Sequence, residues 1–176
     1  MRSSPSITIH RAQAKDAEQL TAIAHAAKGH WGYPERWMRL WREALTVKPK
    51  FIGKHPVFCA VRGRRIVGFY ALSHRGAQYE LEHMWVHPDH IGSGIGRKLF
   101  RHALATTRAR HGKVLKIAAD PNAEAFYVAL GACRVGEVRS KPRGRKLPLL
   151  AVHLSLSAGR SGLRRTPSMR PERSVR

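Results

Sequence analysis

Residues 86–100 read Val-His-Pro-Asp-His-Ile-Gly-Ser-Gly-Ile-Gly-Arg-Lys-Leu-Phe, and this stretch is the most informative in the chain. It holds three glycines at alternate positions, Gly92, Gly94 and Gly96, and a helical pattern begins directly after them. Glycine leaves the backbone amides unshielded, and the first N–H groups of a helix lack partners at the positive end of its dipole. The stretch therefore predicts an anion-binding turn that would hold a phosphate-rich ligand.

Apolar spacing along the rest of the chain predicts an α/β (α+β) protein. Strands are predicted over residues 7–11, 57–61, 66–72, 79–86, 114–118 and 149–156, and helices over 16–27, 37–45, 94–110 and 123–130. The order combines hairpins with one strand-turn-helix-strand crossover that contains the glycine turn. We therefore expect a mixed, mostly antiparallel central sheet flanked by helices.

The chain has 176 residues, which suits one domain with a short appendage. We expect a folded domain over residues 1–156 and a basic, disordered tail over 157–176, where Ser, Gly, Pro and Arg offer little for a core. No apolar run approaches the roughly 20 residues that span a bilayer, and the N-terminal residues lack the apolar centre of a signal peptide. These features predict a cytoplasmic protein that does not enter membranes. Cys59 and Cys133 have no metal-like or redox-like spacing and are predicted to be buried, reduced thiols.

The net charge is +22 at pH 7. The last twenty residues contribute six arginines against one glutamate, so most of the excess belongs to the predicted domain. Such a surface attracts polyanions, which include coenzyme A, nucleic acid and acidic lipid. Charge alone does not choose among them.

Two segments resemble the GNAT superfamily of acyl-CoA-dependent N-acetyltransferases. Residues 81–99 resemble its pyrophosphate motif, Gln/Arg-x-x-Gly-x-Gly/Ala, and residues 120–132 are similar to its segment Asn-x-x-Ala-x-x-Phe-Tyr-x-x-x-Gly-Phe. The order of elements over residues 7–156 also fits. The chain departs from the pattern at Ile91, where the family has Gln or Arg, and at Ala132, where it often has Phe.

Other phosphate-binding turns fit less well. A Rossmann fingerprint follows the first strand of a βαβ unit, whereas here several antiparallel strands precede the turn. A Walker loop needs Gly-Lys-Ser/Thr, whereas Gly96 is followed by Arg97 and Lys98.

The resemblance implies acetyl-CoA as the co-substrate. It implies contacts with Met84, Trp85, Val86, Ile91, Gly92, Ser93, Gly94, Ile95, Gly96, Arg97, Asn122 and Tyr127. The backbone near Met84 would bind the pantetheine arm and polarise the thioester carbonyl. Because Ile91 has no polar side chain, the backbone amides of residues 92–97 would have to hold the pyrophosphate.

The resemblance also implies direct acetyl transfer in a ternary complex, with Glu82 as the base and Tyr127 as the acid that protonates the thiolate. A phenol, with an ordinary pKa near 10, is a suitable donor to sulfur. Glu80 and Glu82 are expected on one face of their strand and His83, a rival base, on the other. Both carboxylates could instead be solvated or salt-bridged.

Trp31, Tyr33 and Glu80 are the candidate acceptor-binding residues, since aromatic rings and carboxylates suit an amine. Trp37 and Trp41 are expected to seat a helix on the sheet. His83, His87 and His90 lack metal-ligand spacing, so no metal is expected.

The expected partner is a small-molecule or protein amine, and the protein is expected to be a monomer or homodimer. The basic charge leaves an alternative, a nucleic-acid-binding protein on a GNAT-like scaffold with weak or vestigial CoA binding. Nucleic-acid binding does not require the pair Asn122 and Tyr127, so the sequence favours the enzyme.

Overall fold

The computed structural model describes residues 6–154, and the predicted tail over 157–176 lies outside them. Seven strands are present in this part of the chain: β1 Ile7–Arg11, β2 Val57–Arg62, β3 Arg65–Arg75, β4 Gln78–Val86, β5 Val114–Ala118, β6 Cys133–Ser140 and β7 Arg145–His153. The α-helices are α1 Ala17–Gly29, α2 Glu35–Trp41, α3 Pro49–Lys54, α4 Ile95–Ala109 and α5 Glu124–Ala129. Short 3-10 turns span Ala14–Asp16, Pro88–His90 and Pro121–Ala123.

The strands form one sheet in the order β1-β2-β3-β4-β5-β7-β6. All neighbours are antiparallel except β4 and β5, which are parallel and are joined through α4. The predicted fold class, a mixed and mostly antiparallel sheet flanked by helices, is confirmed. No helix among residues 6–154 is long and apolar enough to cross a membrane.

The sequence analysis missed β6 and α3 and began β7 four residues late. β6 is an edge strand that pairs with β7 alone, and most of its side chains are exposed. It therefore lacks the apolar alternation on which strand prediction depends. The prediction that Cys133 is buried was wrong for the same reason, since Cys133 is exposed at the start of this strand, whereas Cys59 is buried.

Helices cover both faces of the sheet, and alternate residues of β3 supply the two cores. The core beneath α4 and α5 includes Tyr70, Leu72, Leu99, Phe100 and Leu115, and the core beneath α1, α2 and α3 includes Leu20, Trp41, Ile52, Phe69 and Ala71. Each large apolar side chain buried here contributes about 1.5–3 kcal/mol. The two cores fix β3 and β4 at the centre of the molecule.

β4 and β5 pair over only three residue pairs, Gln78 with Val114 to Glu80 with Lys116. Further along, β5 continues to pair with β7, while β4 bends away. The bend coincides with a bulge, since Leu72 pairs with Leu81 and Ala71 with His83, which leaves one extra residue between them. A bulge increases local twist and bends its strand. The result is a cleft between the two strands, immediately before the glycine turn.

A substitution at Gly68 tests how closely β3 packs against β4 and α4. A Cβ at Gly68 would lie 2.8 Å from the carbonyl oxygen of Trp85 and 3.1 Å from Cδ1 of Leu99. We expect Gly68→Ala to lower the free energy of unfolding by about 1–3 kcal/mol, because an overpacked core must shift to accommodate the methyl group. Denaturant unfolding measures the loss.

Gly53→Ala is the matched control. Gly53 lies in α3, and a Cβ there meets no heavy atom within 4 Å. Alanine favours a helix over glycine by about 1 kcal/mol, so this variant should be as stable as the wild type or more stable. Equal unfolding free energies for the two variants would contradict the packing described here.

Candidate active site

A cavity of about 450 Å³ fills the cleft between β4 and β5 and extends to the glycine turn. Most of the predicted site residues line it: Trp31, Glu82, Met84, Trp85, Val86, Ile91, Gly92, Gly94, Gly96, Arg97, Asn122 and Tyr127. The other four, Tyr33, Glu80, Ser93 and Ile95, are not among its lining residues. The fold thus gathers segments that are far apart in sequence around one space.

The glycine turn forms one end of the cavity. Gly92 and Gly94 have φ values of +81° and +80°, a left-handed backbone that glycine adopts without strain. Gly94 caps the N-terminus of α4, and the first hydrogen bond of the helix runs from the N–H of Lys98 to the carbonyl of Gly94. The amides of residues 95–97 therefore precede the helical hydrogen-bond ladder and suit an anion.

The side chains of two residues of the turn, Ser93 and Ile95, contact the protein itself. The Ser93 hydroxyl donates to the His90 carbonyl at 2.5 Å, and the Ser93 amide donates to the same oxygen at 3.3 Å. Ile95 is 1% exposed, and its side chain packs in the core beneath α4. Only the backbone of Ile95 can face a ligand.

Strand β4 forms the wall of the cavity. The side chains of Met84 and Val86 pack against the core beneath α4, and Trp85 packs against the opposite core. From Leu81 to Val86, the edge of β4 that faces β5 has no strand partner within the described part of the chain. Its backbone groups on that edge are available to an extended ligand.

Glu82 is the extra residue of the bulge and lines the cavity. Its side chain is exposed, and the hydroxyl of Ser73 donates to Oε1 at 2.5 Å. Glu80 is also exposed but lies where β4 is still paired, opposite Ser73 and beside Lys116. The bulge therefore separates the two carboxylates, and only Glu82 reaches the cavity.

The expectation that His83 faces away from Glu82 was wrong. The bulge places His83 opposite Ala71, and the His83 ring packs against Phe69 on the side of the sheet that α1 covers. The Ser73 hydroxyl donates to Glu82 on that same side. Burial lowers the pKa of His83 to about 4, and Nδ1 accepts a hydrogen bond from the Trp85 indole at 3.2 Å. His83 is therefore a neutral, packed side chain at pH 7.

Tyr127 lies on α5 and lines the cavity from the β5 side. The side chain is 6% exposed and packs edge-on against Phe100 and Phe126, with ring centroids 5.2 and 5.1 Å away. Burial, and secondarily the negative charge of Asp120, raise the pKa of Tyr127 well above its ordinary value. The phenol keeps its proton at neutral pH.

Asp120 follows β5 and anchors this wall of the cavity. Its carboxylate accepts a hydrogen bond from Lys28 of α1, one from the Tyr33 hydroxyl at 2.9 Å and one from the Asn122 amide at 3.0 Å. Arg145 of β7 lies 3.5 Å from the same carboxylate. Burial acts to raise the pKa of Asp120, but its hydrogen bonds and the charge of Lys28 outweigh burial, so the net shift is downward.

The two cations of this network also lie against the aromatic rings of Tyr33 and Trp41. The Lys28 ammonium lies 4.7 Å from the centre of the Tyr33 ring and 4.4 Å from that of Trp41, and Arg145 stacks near both rings. The Tyr33 hydroxyl also accepts from Asn122 at 3.0 Å. The protein's own cations thus fill the place that the sequence suggested for an amine at Tyr33. Of the two aromatic residues suggested for the acceptor, only Trp31 lines the cavity.

Sequence reasoning placed Asp120 only at the start of the segment 120–132, and it missed Lys28 and Arg145. Asp120 caps the turn Pro121–Ala123, as its bond to the Asn122 amide shows. Nothing local marks Lys28 or Arg145, because the three charged residues are 92 and 25 positions apart and meet only in the folded sheet.

Removing the charge of Asp120 tests the network. The side chains of Lys28 and Asp120 are only 9% and 10% exposed, so Asp120→Asn leaves a buried ammonium without its counterion. We expect a loss of about 3 kcal/mol or more in unfolding free energy. Thermal and denaturant unfolding measure it, with Glu137→Gln as the control, because Glu137 forms exposed ion pairs with Arg134 and Lys146. A loss no larger than that of the control would show that the network does not stabilise the fold.

Comparison with known proteins agrees with the geometry. The family model described as an acetyltransferase (GNAT) domain matches residues 53–131, which include β4, the glycine turn, α4 and most of the Asp120 segment. No curated protein matches the chain at a significant level.

Solved structures share the whole fold. The PaiA N-acetyltransferase of Thermoplasma acidophilum in complex with coenzyme A has a TM-score of 0.72 and 18% identity, over 84% of this chain and 99% of that one. A GCN5-related N-acetyltransferase of Rhodopseudomonas palustris gives 0.69 and 22%, over 88% and 98%. The ribosomal-protein-S18-alanine N-acetyltransferase of Escherichia coli gives 0.66 and 19%, over 88% and 98%. Residues 53–131 therefore match a GNAT acetyltransferase domain, and the chain shares the fold of these N-acetyltransferases.

Proposed function

We propose that this protein transfers an acetyl group from acetyl-CoA to a primary amine, directly and within a ternary complex. The observation that supports this most is the arrangement of the cleft between β4 and β5. One end holds the open amides of a helix N-terminus, and the walls hold an unpaired strand edge, a carboxylate and a buried phenol. An extended, phosphorylated thioester needs these features in that order.

The residues present fit coenzyme A. The pyrophosphate would accept hydrogen bonds from the amides of Gly92 and residues 94–97, where the left-handed glycines place no side chain in the way. Arg97 lines the same end and adds positive charge. The pantetheine would lie along the free edge of β4 near Met84. Bound acetyl-CoA supplies the acetyl thioester that is consumed in the reaction.

Glu82 would act as the base. Its carboxylate lines the cavity beside the bulge, and it can take a proton from the acceptor ammonium directly or through a water molecule. His83 is the weaker candidate, since its pKa near 4 and its bond from Trp85 leave it a poor proton acceptor. Trp31, also in the cavity wall, would contact the acceptor.

Tyr127 would act as the acid. As the amine nitrogen bonds to the acetyl carbon, the carbon–sulfur bond breaks, and the sulfur takes the phenol proton. Burial keeps that proton on Tyr127 until the thiolate forms. A backbone N–H of β4 near Met84 would stabilise the carbonyl oxygen as negative charge develops on it. Exchange with solvent then restores Glu82 and Tyr127.

Asn122 would orient the pantetheine through its side chain. Its amide nitrogen already donates to the Tyr33 hydroxyl and to Asp120, each at 3.0 Å. These two bonds fix the direction of the amide and leave its carbonyl oxygen as the free acceptor. Asp120 is therefore a positioning residue for Asn122 as well as a stabilising one.

Kinetics of two variants test the roles. A screen of amines for thiol release from acetyl-CoA first supplies an acceptor. With that acceptor, Glu82→Gln and Tyr127→Phe should each lower kcat about 10²–10⁴-fold, because each removes one proton-transfer step. The affinity for acetyl-CoA, measured by calorimetry, should stay near that of the wild type in both.

Glu80→Gln is the control, since Glu80 is exposed on the same strand but is not among the cavity residues. It should leave kcat close to the wild-type value. Unchanged kcat in Glu82→Gln over the whole pH range would overturn the assignment of the base. A melting temperature that does not rise in saturating acetyl-CoA would overturn the proposed function itself.

A further inference from the structure

Three long stretches of the chain lack a negative charge, residues 44–79, 90–119 and 138–171, and the second of them contains α4. The outer side of α4 and the residue that follows it carry Arg97, Lys98, Arg101, Arg108 and Arg110, and all five are exposed. We call these five residues the α4 basic face.

Three of these five residues lie on one line because of helical spacing. Arg97, Arg101 and Arg108 are four and seven positions apart, so they follow one line along the helix. The opposite side of α4 is buried in the core, from Ile95 to Thr107. At 1.5 Å per residue, the line from Arg97 to Arg108 is roughly 16 Å long. Its length is that of several consecutive phosphates on a duplex, which are about 3.4 Å apart along each strand.

Among residues 6–154, no ion-pair partner explains these charges. Each ion pair in the part of the chain that the structure describes lies elsewhere, and none includes a residue of the α4 basic face. Arg97 and Lys98 lie at the positive end of the helix dipole, where cations are unfavourable. At the other end, Arg110 lies near Arg11 of β1, and its charge adds to burial in lowering the pKa of Arg11. An external anion would relieve the unfavourable positions of Arg97 and Lys98, whereas Arg108 and Arg110 lie at the negative end of the dipole, where cations are favourable.

The proposed acetyl transfer uses only one of the five residues. Arg97 lines the cleft, whereas Lys98, Arg101, Arg108 and Arg110 are not among the residues of the cavity.

We propose that the α4 basic face binds the phosphate backbone of a nucleic-acid duplex. Arginine suits phosphate because its planar guanidinium donates two parallel hydrogen bonds. The exposed residues between the arginines, Ala105 and Ala109, are small, so the face has no aromatic ring on which single-stranded bases could stack. It also has no large apolar side chain to enter a membrane or to anchor a protein interface. Binding through phosphate alone has little sequence preference and depends steeply on salt.

Salt dependence tests the proposal. The probe is a 20-base-pair DNA duplex of arbitrary sequence, and the protein is the full chain. Arg101→Gln/Arg108→Gln should bind it more weakly than the wild type, and the slope of log affinity against log salt should fall in magnitude by about 2, one for each lost phosphate contact. Glutamine is a good helix former, so the variant should fold, and its affinity for acetyl-CoA should be unchanged.

Arg36→Gln/Arg42→Gln is the matched control. It removes the same charge from exposed arginines at α2, across the sheet from α4, and it should keep the wild-type slope. Equal slopes for the two double variants would overturn the proposal, because net charge alone would then explain binding. Tighter binding of a single strand than of the duplex, or binding of polyglutamate with equal affinity, would also overturn it.

Discussion

The early separation of β4 from β5 is the constraint on which the rest of this structure depends. The two strands pair over only three residue pairs, although β4 continues for six further residues. β7 pairs with the opposite edge of β5 along the whole length of β5, and the bulge at Glu82 bends β4 away from β5. Unpaired backbone in a sheet is normally costly. Here it forms the wall of the cavity, where a ligand can satisfy it.

The Asp120 network holds the other wall in place. Lys28 comes from α1, Arg145 from β7 and Tyr33 from the segment between α1 and α2, and all three bond to one carboxylate at the end of β5. Burying two cations with one anion costs desolvation energy, which the hydrogen bonds and the aromatic rings of Tyr33 and Trp41 offset. The same carboxylate orients Asn122, and its charge adds to burial in raising the pKa of Tyr127. The stability of this wall and the chemistry proposed for it are therefore linked.

The sequence predicted the central elements because their signals are local. The glycine turn, the spacing of α4 and the apolar strands β2 to β5 can each be read within a short window. β6 could not, because an exposed edge strand has no apolar face, and the bulge could not, because it depends on the register between β3 and β4. Because of this bulge, the prediction that Glu82 and His83 lie on opposite faces of the sheet was wrong. The ion pair between Lys28 and Asp120 could not be predicted from local patterns, because it joins residues 92 positions apart.

Calorimetric titration with coenzyme A tests most directly whether the turn binds the ligand through its backbone. The account predicts that the wild type binds, that Ile91→Ala binds as well as the wild type, and that Gly94→Val binds at least about tenfold more weakly, a loss of about 1.4 kcal/mol. Gly76→Val is the control, since Gly76 also has a left-handed φ, +58°, but lies in the turn between β3 and β4. It should bind normally. Undiminished affinity in Gly94→Val, or a loss as large in Gly76→Val, would contradict the account.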